Sequence, residues 1–366
     1  MKYFSAFTGV GGFDMAVPQD CQEYYREIHG GGKMKHLLID FDSTIPNLAL
    51  MKISAWAKSK GDEVYLNDDS IEPDEIWLSC IFTWNKTKAM EAIAMYRFRF
   101  PNAIIHYGGT GFDWGRIGNR INLPDEIENM VPDYHLYNHD RAVGFCQRGC
   151  NRKCQFCDVW KKEGKISENK YIRLRDWAPD GFKKLLLLDN DIALAEEWKH
   201  NEVLNDAREL GLKLSITQGY DIRCVTPERA GLLAENKPWD TGFHSRNLYF
   251  SWDYPQNEPW VRRGIEILKD AGFKGRELTC YVLIGFNSTH EQDMHRINVL
   301  WKEYGVYPYV MAYNNDKSDP MIRALVRYVN KREIFKSMEF DEYNRNPDFL
   351  KKQHEGIAMD IMEVEK

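Results

Sequence analysis

The sequence predicts an α/β protein in three parts: an open, doubly wound parallel sheet, a partial barrel of six β/α repeats, and a helical C-terminal extension. Three observations carry this expectation. Short apolar runs of strand length recur between stretches of helical periodicity. The alternation begins near residue 34 and restarts near Arg141. From Asp319 onward the pattern turns helical and charged.

Gly30-Gly31-Gly32 closes a first segment, 1–33, and Met34 reads like a second start. The run 35–40 (KHLLID) has buried-strand character, and 47–60 is helical in pattern. The run 75–82 (EIWLSCIF) is a second strand, 86–98 a helix and 103–107 (AIIHY) a third strand ending at Gly108-Gly109. Strands alternating with helices imply βαβ units and a parallel sheet, placed at about 34–135. In the next part, 136–318, the expected strands are 142–145, 184–188, 213–217, 248–252, 278–284 and 307–312. Helical patterns at 196–210, 258–271 and 291–304 lie between them. Six repeats make a partial barrel, short of the complete eight-stranded (TIM) barrel. Residues 319–366 are expected to be helices packed outside it.

The 366 residues suffice for two domains, and 43% hydrophobic with 28% charged content is that of a soluble globular protein. A net charge of −6 carries no global nucleic-acid footprint. No apolar run of membrane-spanning length and no secretory leader pattern is seen, so a cytoplasmic location is expected. Of eight cysteines, Cys146, Cys150, Cys154 and Cys157 fall within twelve positions. Clustered cysteines in a long chain of this kind point to metal rather than to disulfides.

The cluster reads Gly144-Phe145-Cys146-Gln147-Arg148-Gly149-Cys150-Asn151-Arg152-Lys153-Cys154-Gln155-Phe156-Cys157. Thiolates are soft ligands that suit zinc or iron–sulfur clusters. Three of them would leave one iron of a four-iron cluster open for substrate chemistry. Zinc is the alternative, because Cys146 adds a fourth thiol; the chain would then be a zinc-containing nucleic-acid-binding module without catalysis. A zinc ribbon, however, sets its cysteine pairs on separate knuckles, whereas these crowd into one loop. With three ligands assigned, Cys146 reads as a small buried hydrophobe.

Cys-x3-Cys-x-aromatic-Cys after the first strand of a β/α barrel resembles the signature of the radical S-adenosylmethionine (SAM) superfamily. The resemblance covers about 140–315. It implies a 4Fe-4S cluster on Cys150, Cys154 and Cys157, with Phe156 near the adenine of SAM. It further implies reductive cleavage of SAM to a 5′-deoxyadenosyl radical, fed by a flavodoxin- or ferredoxin-type electron donor.

Ligands of such barrels gather at the C-terminal ends of the strands. Asp189 and Asn190 follow the second strand, where the family often has a Gly-Gly-Glu-like run that contacts the methionine amine; this chain departs from it. Gln218 and Arg223 follow the third strand in Gln-Gly-Tyr-Asp-Ile-Arg, similar to a run in some members. Asp253 ends the fourth strand, and Gly285 would let backbone approach the adenine. These are the candidate cofactor-binding residues.

Residues 141–175 carry ten Lys or Arg against Asp158, Glu163 and Glu168, a local balance of +7. Such a field would draw a phosphate-bearing substrate, a nucleotide or nucleic acid, with Lys161, Lys162 and Lys165 as candidate contacts. The plain alternative is a solvated face that compensates an anionic cluster.

The 34–135 stretch resembles the cobalamin-binding, Rossmann-like domain that precedes many radical SAM barrels. Ser79, Gly108 and Gly109 loosely match its positions lining the nucleotide tail, but its Asp-x-His-x-x-Gly motif is missing at 40–47. Cobalamin would therefore bind without a histidine ligand, or the fold would have lost it. Methylation would need cobalamin; a rearrangement would not. Phe7-Thr8-Gly9-Val10-Gly11-Gly12-Phe13-Asp14 resembles the opening of DNA cytosine-5 methyltransferases over about 17 residues, too few for a site of its own.

Overall fold

Strand residues alternate between two apolar clusters in the first sheet, because successive side chains of a strand point to opposite faces. The computed structural model describes residues 13–14, 32–112, 123–168 and 170–345. Four parallel strands, β2 (Lys35–Asp40), β3 (Glu63–Leu66), β4 (Glu75–Ser79) and β5 (Ile104–Gly108), lie in the order β5-β4-β2-β3. Leu38 and Trp77 pack with Leu50, Ile53 and Trp56 of helix α1 (Leu48–Ser59). Leu37, Ile39, Ile76 and Leu78 pack with Ala89, Ile93 and Tyr96 of α2 (Lys86–Arg99). Helix α1 starts where the Asn47 side chain accepts the Leu50 N–H at 3.3 Å.

Two details differ from the sequence expectation. Strand β3 is missing from it, because Glu-Val-Tyr-Leu is half-buried throughout and shows no apolar run. The sheet also gains a two-residue strand, β1 (Phe13–Asp14), antiparallel to β5 with Phe13 opposite Gly108. The rest of the methyltransferase-like motif, the end of the chain from 346 and the stretch 113–122 lie outside the described residues.

The chain divides into two compact units, 2–220 with 228–248, and 221–227 with 249–366. In the first, β6 (Ala142–Gly144), β7 (Lys184–Leu187) and β8 (Lys213–Ile216) form a parallel sheet in that order. Helix α3 (Asp125–Glu128) precedes it, α4 (Val159–Lys162) and α5 (Leu174–Trp177) lie between β6 and β7, and α6 (Glu197–Glu209) joins β7 to β8. Leu48 of α1 shares a buried cluster with Val143, Phe145, Leu186, Leu188 and Phe243, which ties the two sheets of this unit together. On β8, Leu214 O accepts the Trp239 N–H at 2.8 Å, so a following loop covers that edge. Helix α7 (Pro227–Asn236) was not anticipated.

In the second unit, β9 (Leu248–Ser251), β10 (Leu278–Ile284) and β11 (Tyr307–Ala312) form a three-stranded sheet in which β10 and β11 run parallel. Helix α8 (Glu258–Asp270) leads into β10. The helix expected at 291–304 is α9 (His290–Asn298), capped reciprocally by Thr289 and Gln292, followed by a π-helical turn over Val299–Glu303. Helices α10 (Pro320–Asn330), α11 (Arg332–Ser337) and α12 (Phe340–Arg345) complete the described chain. Among the described residues the six barrel-type strands are thus shared between two three-stranded sheets, one in each unit. The architecture is α/β with parallel sheets.

Candidate functional site

Parallel strands end on the same side of their sheet, and this brings three of the predicted loops together in the first unit. The cysteine loop leaves β6, Asp189-Asn190 follow β7, and Gln218 follows β8. Asp189 is 1% exposed and accepts the Cys146 N–H at 2.7 Å and the Gln147 N–H at 3.1 Å. Burial drives its carboxyl up to about 7, opposed by those two amides. Asn190 Oδ1 accepts the Gly149 N–H at 2.8 Å. The loop also closes on itself: Cys150 N–H bonds to Gly164 O at 3.0 Å, and Ile166 N–H to Asn151 Oδ1 at 3.2 Å.

Cys150, Cys154 and Cys157 are partly exposed, whereas Cys146 is buried. Burial pushes the Cys150 thiol up to about 12, the Arg152 N–H on its sulfur at 3.4 Å opposes this, and the neighbouring Cys157 and Cys154 push it further. Among the described residues, no group of three or more His, Cys, Asp or Glu side chains is placed so that it could hold a metal ion. The donor set still suits a soft metal or an iron–sulfur cluster, whose binding gathers and deprotonates thiols. One further observation fits a ligand beside the loop. Asn190 Nδ2 is buried and has no hydrogen-bond partner among the described residues. Phe156 and Gln218 are buried, and Gln218 Nε2 reaches Thr217 Oγ1 only at 3.5 Å.

Asp189 thus acts by positioning the cysteine loop. The remaining candidates belong to the second unit. Arg223 is held in a two-pronged pair by Asp221, at 2.7 and 2.8 Å. Asp253 accepts from Ser251 Oγ at 2.8 Å; burial raises its carboxyl to about 6, against Ser251 and the Arg296 and Arg223 charges. Gly285 has φ +72°, and a Cβ there would lie 2.8 Å from the Ile322 side chain. Arg296, absent from the sequence reading, is fully buried and donates to Trp252 O, Asp253 O and Leu283 O, tying the ends of β9 and β10. A lone arginine on α9 bears no local mark of that task.

The basic loop is largely neutralised. Arg141, Arg148, Lys161, Lys162, Arg173 and Arg175 all make ion pairs. Most partners lie outside 141–175: Asp140, Glu128, and Glu202, Asp206 and Glu209 on α6. Lys162, expected at a substrate surface, has a side chain only 9% exposed and lies 3.3 Å from Glu163. Lys161 is half-exposed and pairs with Asp158 at 3.0 Å, while Lys165 is exposed.

The positions proposed for cobalamin do not fit that group. Ser79 is fully buried and accepts from Asn47 Nδ2 at 2.8 Å. Gly108 O accepts the Cys80 N–H at 2.9 Å. Gly109, at φ +107°, stands where a Cβ would lie 2.1 Å from Cys80 O. Asp42 accepts the Ile81 and Phe82 N–H groups at 2.7 and 3.0 Å. The strand ends that would receive a nucleotide tail are thus filled by the protein's own hydrogen bonds.

No protein-family model matches the chain, and no curated protein matches it in sequence. Among the described residues, no helix is long and apolar enough to cross a membrane.

Proposed function

We propose that the chain is a radical SAM enzyme, with Cys150, Cys154 and Cys157 holding a 4Fe-4S cluster and Asn190 and Gln218 contacting SAM. The observation that carries this reading is the anchoring of a Cys-x3-Cys-x-Phe-Cys loop at the C-terminal end of a parallel strand by Asp189 and Asn190. When bound, such a cluster supplies the electron that cleaves SAM to methionine and a 5′-deoxyadenosyl radical. The chain's own residues hold the loop: Asp189 fixes its start, and Gly164 and Asn151 close it. Asn190 Nδ2 offers a buried donor to a carboxylate or carbonyl. Burial of Cys146 removes a fourth thiol and favours this reading over a four-thiolate zinc module.

The substrate is left open, because the pairing of the basic loop removes most of the charge from which a phosphate-bearing one was read. The test is anaerobic reconstitution with iron and sulfide. About four irons per chain and SAM cleavage after reduction are expected. Replacing Cys150, Cys154 or Cys157 by Ala should abolish cleavage, and Cys146→Ala should preserve it. Stoichiometric zinc with no iron would overturn the proposal.

A further inference from the structure

At the N-terminal end of β8, the end of that sheet opposite the cysteine loop, a pocket of about 210 Å³ opens in the first unit. The turn after α6, the last residues of α7 and the bridge between Trp239 and Arg246 frame it. Arg208, Lys213, Lys237 and Arg246 line it against a single carboxylate, Glu235. Glu235 is taken by Arg208, whose other terminal nitrogen donates to Asn205 Oδ1 at 3.1 Å. Lys213 and Lys237 make no ion pair among the described residues. Asp240, next to Trp239 in the chain, is not part of the lining; its two oxygens accept from the His244 and Ser245 N–H groups and from Ser245 Oγ. The C-terminal ends of α6 and α7 oppose the cations with roughly half a negative charge each. Four cations against one carboxylate exceed that opposing term, so the pocket keeps a positive field.

Two features go beyond a solvated basic face. The Trp239 ring gathers the charge: Lys213 Nζ lies 4.4 Å and the Arg246 guanidinium 4.1 Å from its centroid. Arg246 also donates to Lys237 O, at the end of α7. Lys237 itself has φ +48°, the left-handed conformation that follows many helices and is ordinarily given to glycine. A side chain there strains the backbone. Glycine would serve the turn better, so the use of Lys237 lies in its charge.

We infer that this pocket binds a phosphate group, its oxygens held by Lys213 and Lys237 beside Arg246. A phosphate group carries nearly two negative charges and several strong acceptors, which answers a ring of cations better than one carboxylate does. The volume falls below the roughly 300–1,000 Å³ of sites for drug-sized molecules, so it suits one compact charged group. The site lies at the other end of the sheet from the cysteines, and the inference does not depend on the radical SAM reading.

The probes are inorganic phosphate and methyl phosphate, titrated into the full chain at low ionic strength and followed by phosphorus NMR line broadening. Saturable binding is expected, weakening as sodium chloride is added, because the cations are exposed. Lys213→Met should weaken it about fivefold or more. Lys237→Gly separates binding from folding: it relieves the left-handed strain, so the melting temperature should hold or rise while phosphate affinity falls by about the same factor. Lys88→Met removes an exposed charge of α2 outside the lining and should leave affinity within about twofold of the parent. Tighter binding of inorganic phosphate assigns the site to the free ion. Equal or tighter binding of methyl phosphate assigns it to a phosphate carried on an organic molecule. Absence of saturation with both probes overturns the inference. So does parental affinity in Lys213→Met or Lys237→Gly, or an equal loss in Lys88→Met.

Discussion

Asp189 shows how much one buried carboxylate organises. Its two oxygens take two consecutive backbone amides at the start of the cysteine loop, so the loop's direction depends on it. Removing it strands both donors in a buried place, which costs about 1–3 kcal/mol per unsatisfied group. Asp189→Ala is therefore expected to lower stability by about 2 kcal/mol or more in denaturant unfolding. It should also speed alkylation of the Cys150 thiol in the metal-free protein. Unchanged alkylation would mean that the Asn190, Gly164 and Asn151 contacts hold the loop alone. At the same scale, Gly109→Ala meets the Cys80 carbonyl and a left-handed φ, and a loss of at least ~2 kcal/mol is expected in the same assay.

At the scale of the element, the first sheet contains a buried ionic group at the start of its strands. His36 lies 3.3 Å from Asp62 and 3.4 Å from Glu75, and His106 lies 3.5 Å from Glu75. The Trp77 ring stacks on His106 with centroids 3.9 Å apart. Burial works against charge on both His36 and Glu75, but the Asp62 contact of His36 and the attraction among His36, Glu75 and His106 win. His36 is raised above 6.5, and Glu75 is lowered to about 2. The His36 contribution is fully present below pH 6.5 and is lost as pH rises through its raised value. The Glu75 contribution is fully present above pH 4.5 and is lost as pH falls toward about 2. This pair should therefore favour folding most between pH 4.5 and 6.5. Thermal melts across pH check it: His36→Gln should flatten the alkaline limb and Glu75→Gln the acid limb. Parallel curves for parent and variants would show that other groups set the dependence.

For the molecule as a whole, charge is settled by pairs that join distant parts of the chain. The +7 of residues 141–175 sits in a chain of −6, and Glu202, Asp206 and Glu209 of α6 meet two of its arginines. Arg173 and Arg175 both meet Asp206, at 3.1 and 2.6 Å. Asp206→Asn with Glu202→Gln should unmask Arg173, while Arg175 keeps Glu209, and should lengthen retention on a phosphate-bearing column, with the gain disappearing at high salt. Retention equal to that of the parent would show that the arginines are neutralised by other groups.

Local chemistry determined the elements. Apolar runs such as 35–40, 278–284 and 307–312 became strands at those residues because strand and helix periodicity are written in neighbouring side chains. The cysteine spacing likewise announced a thiol-lined loop after a strand. What only the tertiary structure decided concerns partners far apart in sequence. Half-buried β3 becomes a strand through pairing with β2, and the β8 edge is covered by Trp239. Arg148 is taken by Glu128, and Ser79 by Asn47. Coulomb forces and hydrogen bonds act through space, so residues distant along the chain decide which charges stay exposed and which pockets are already filled.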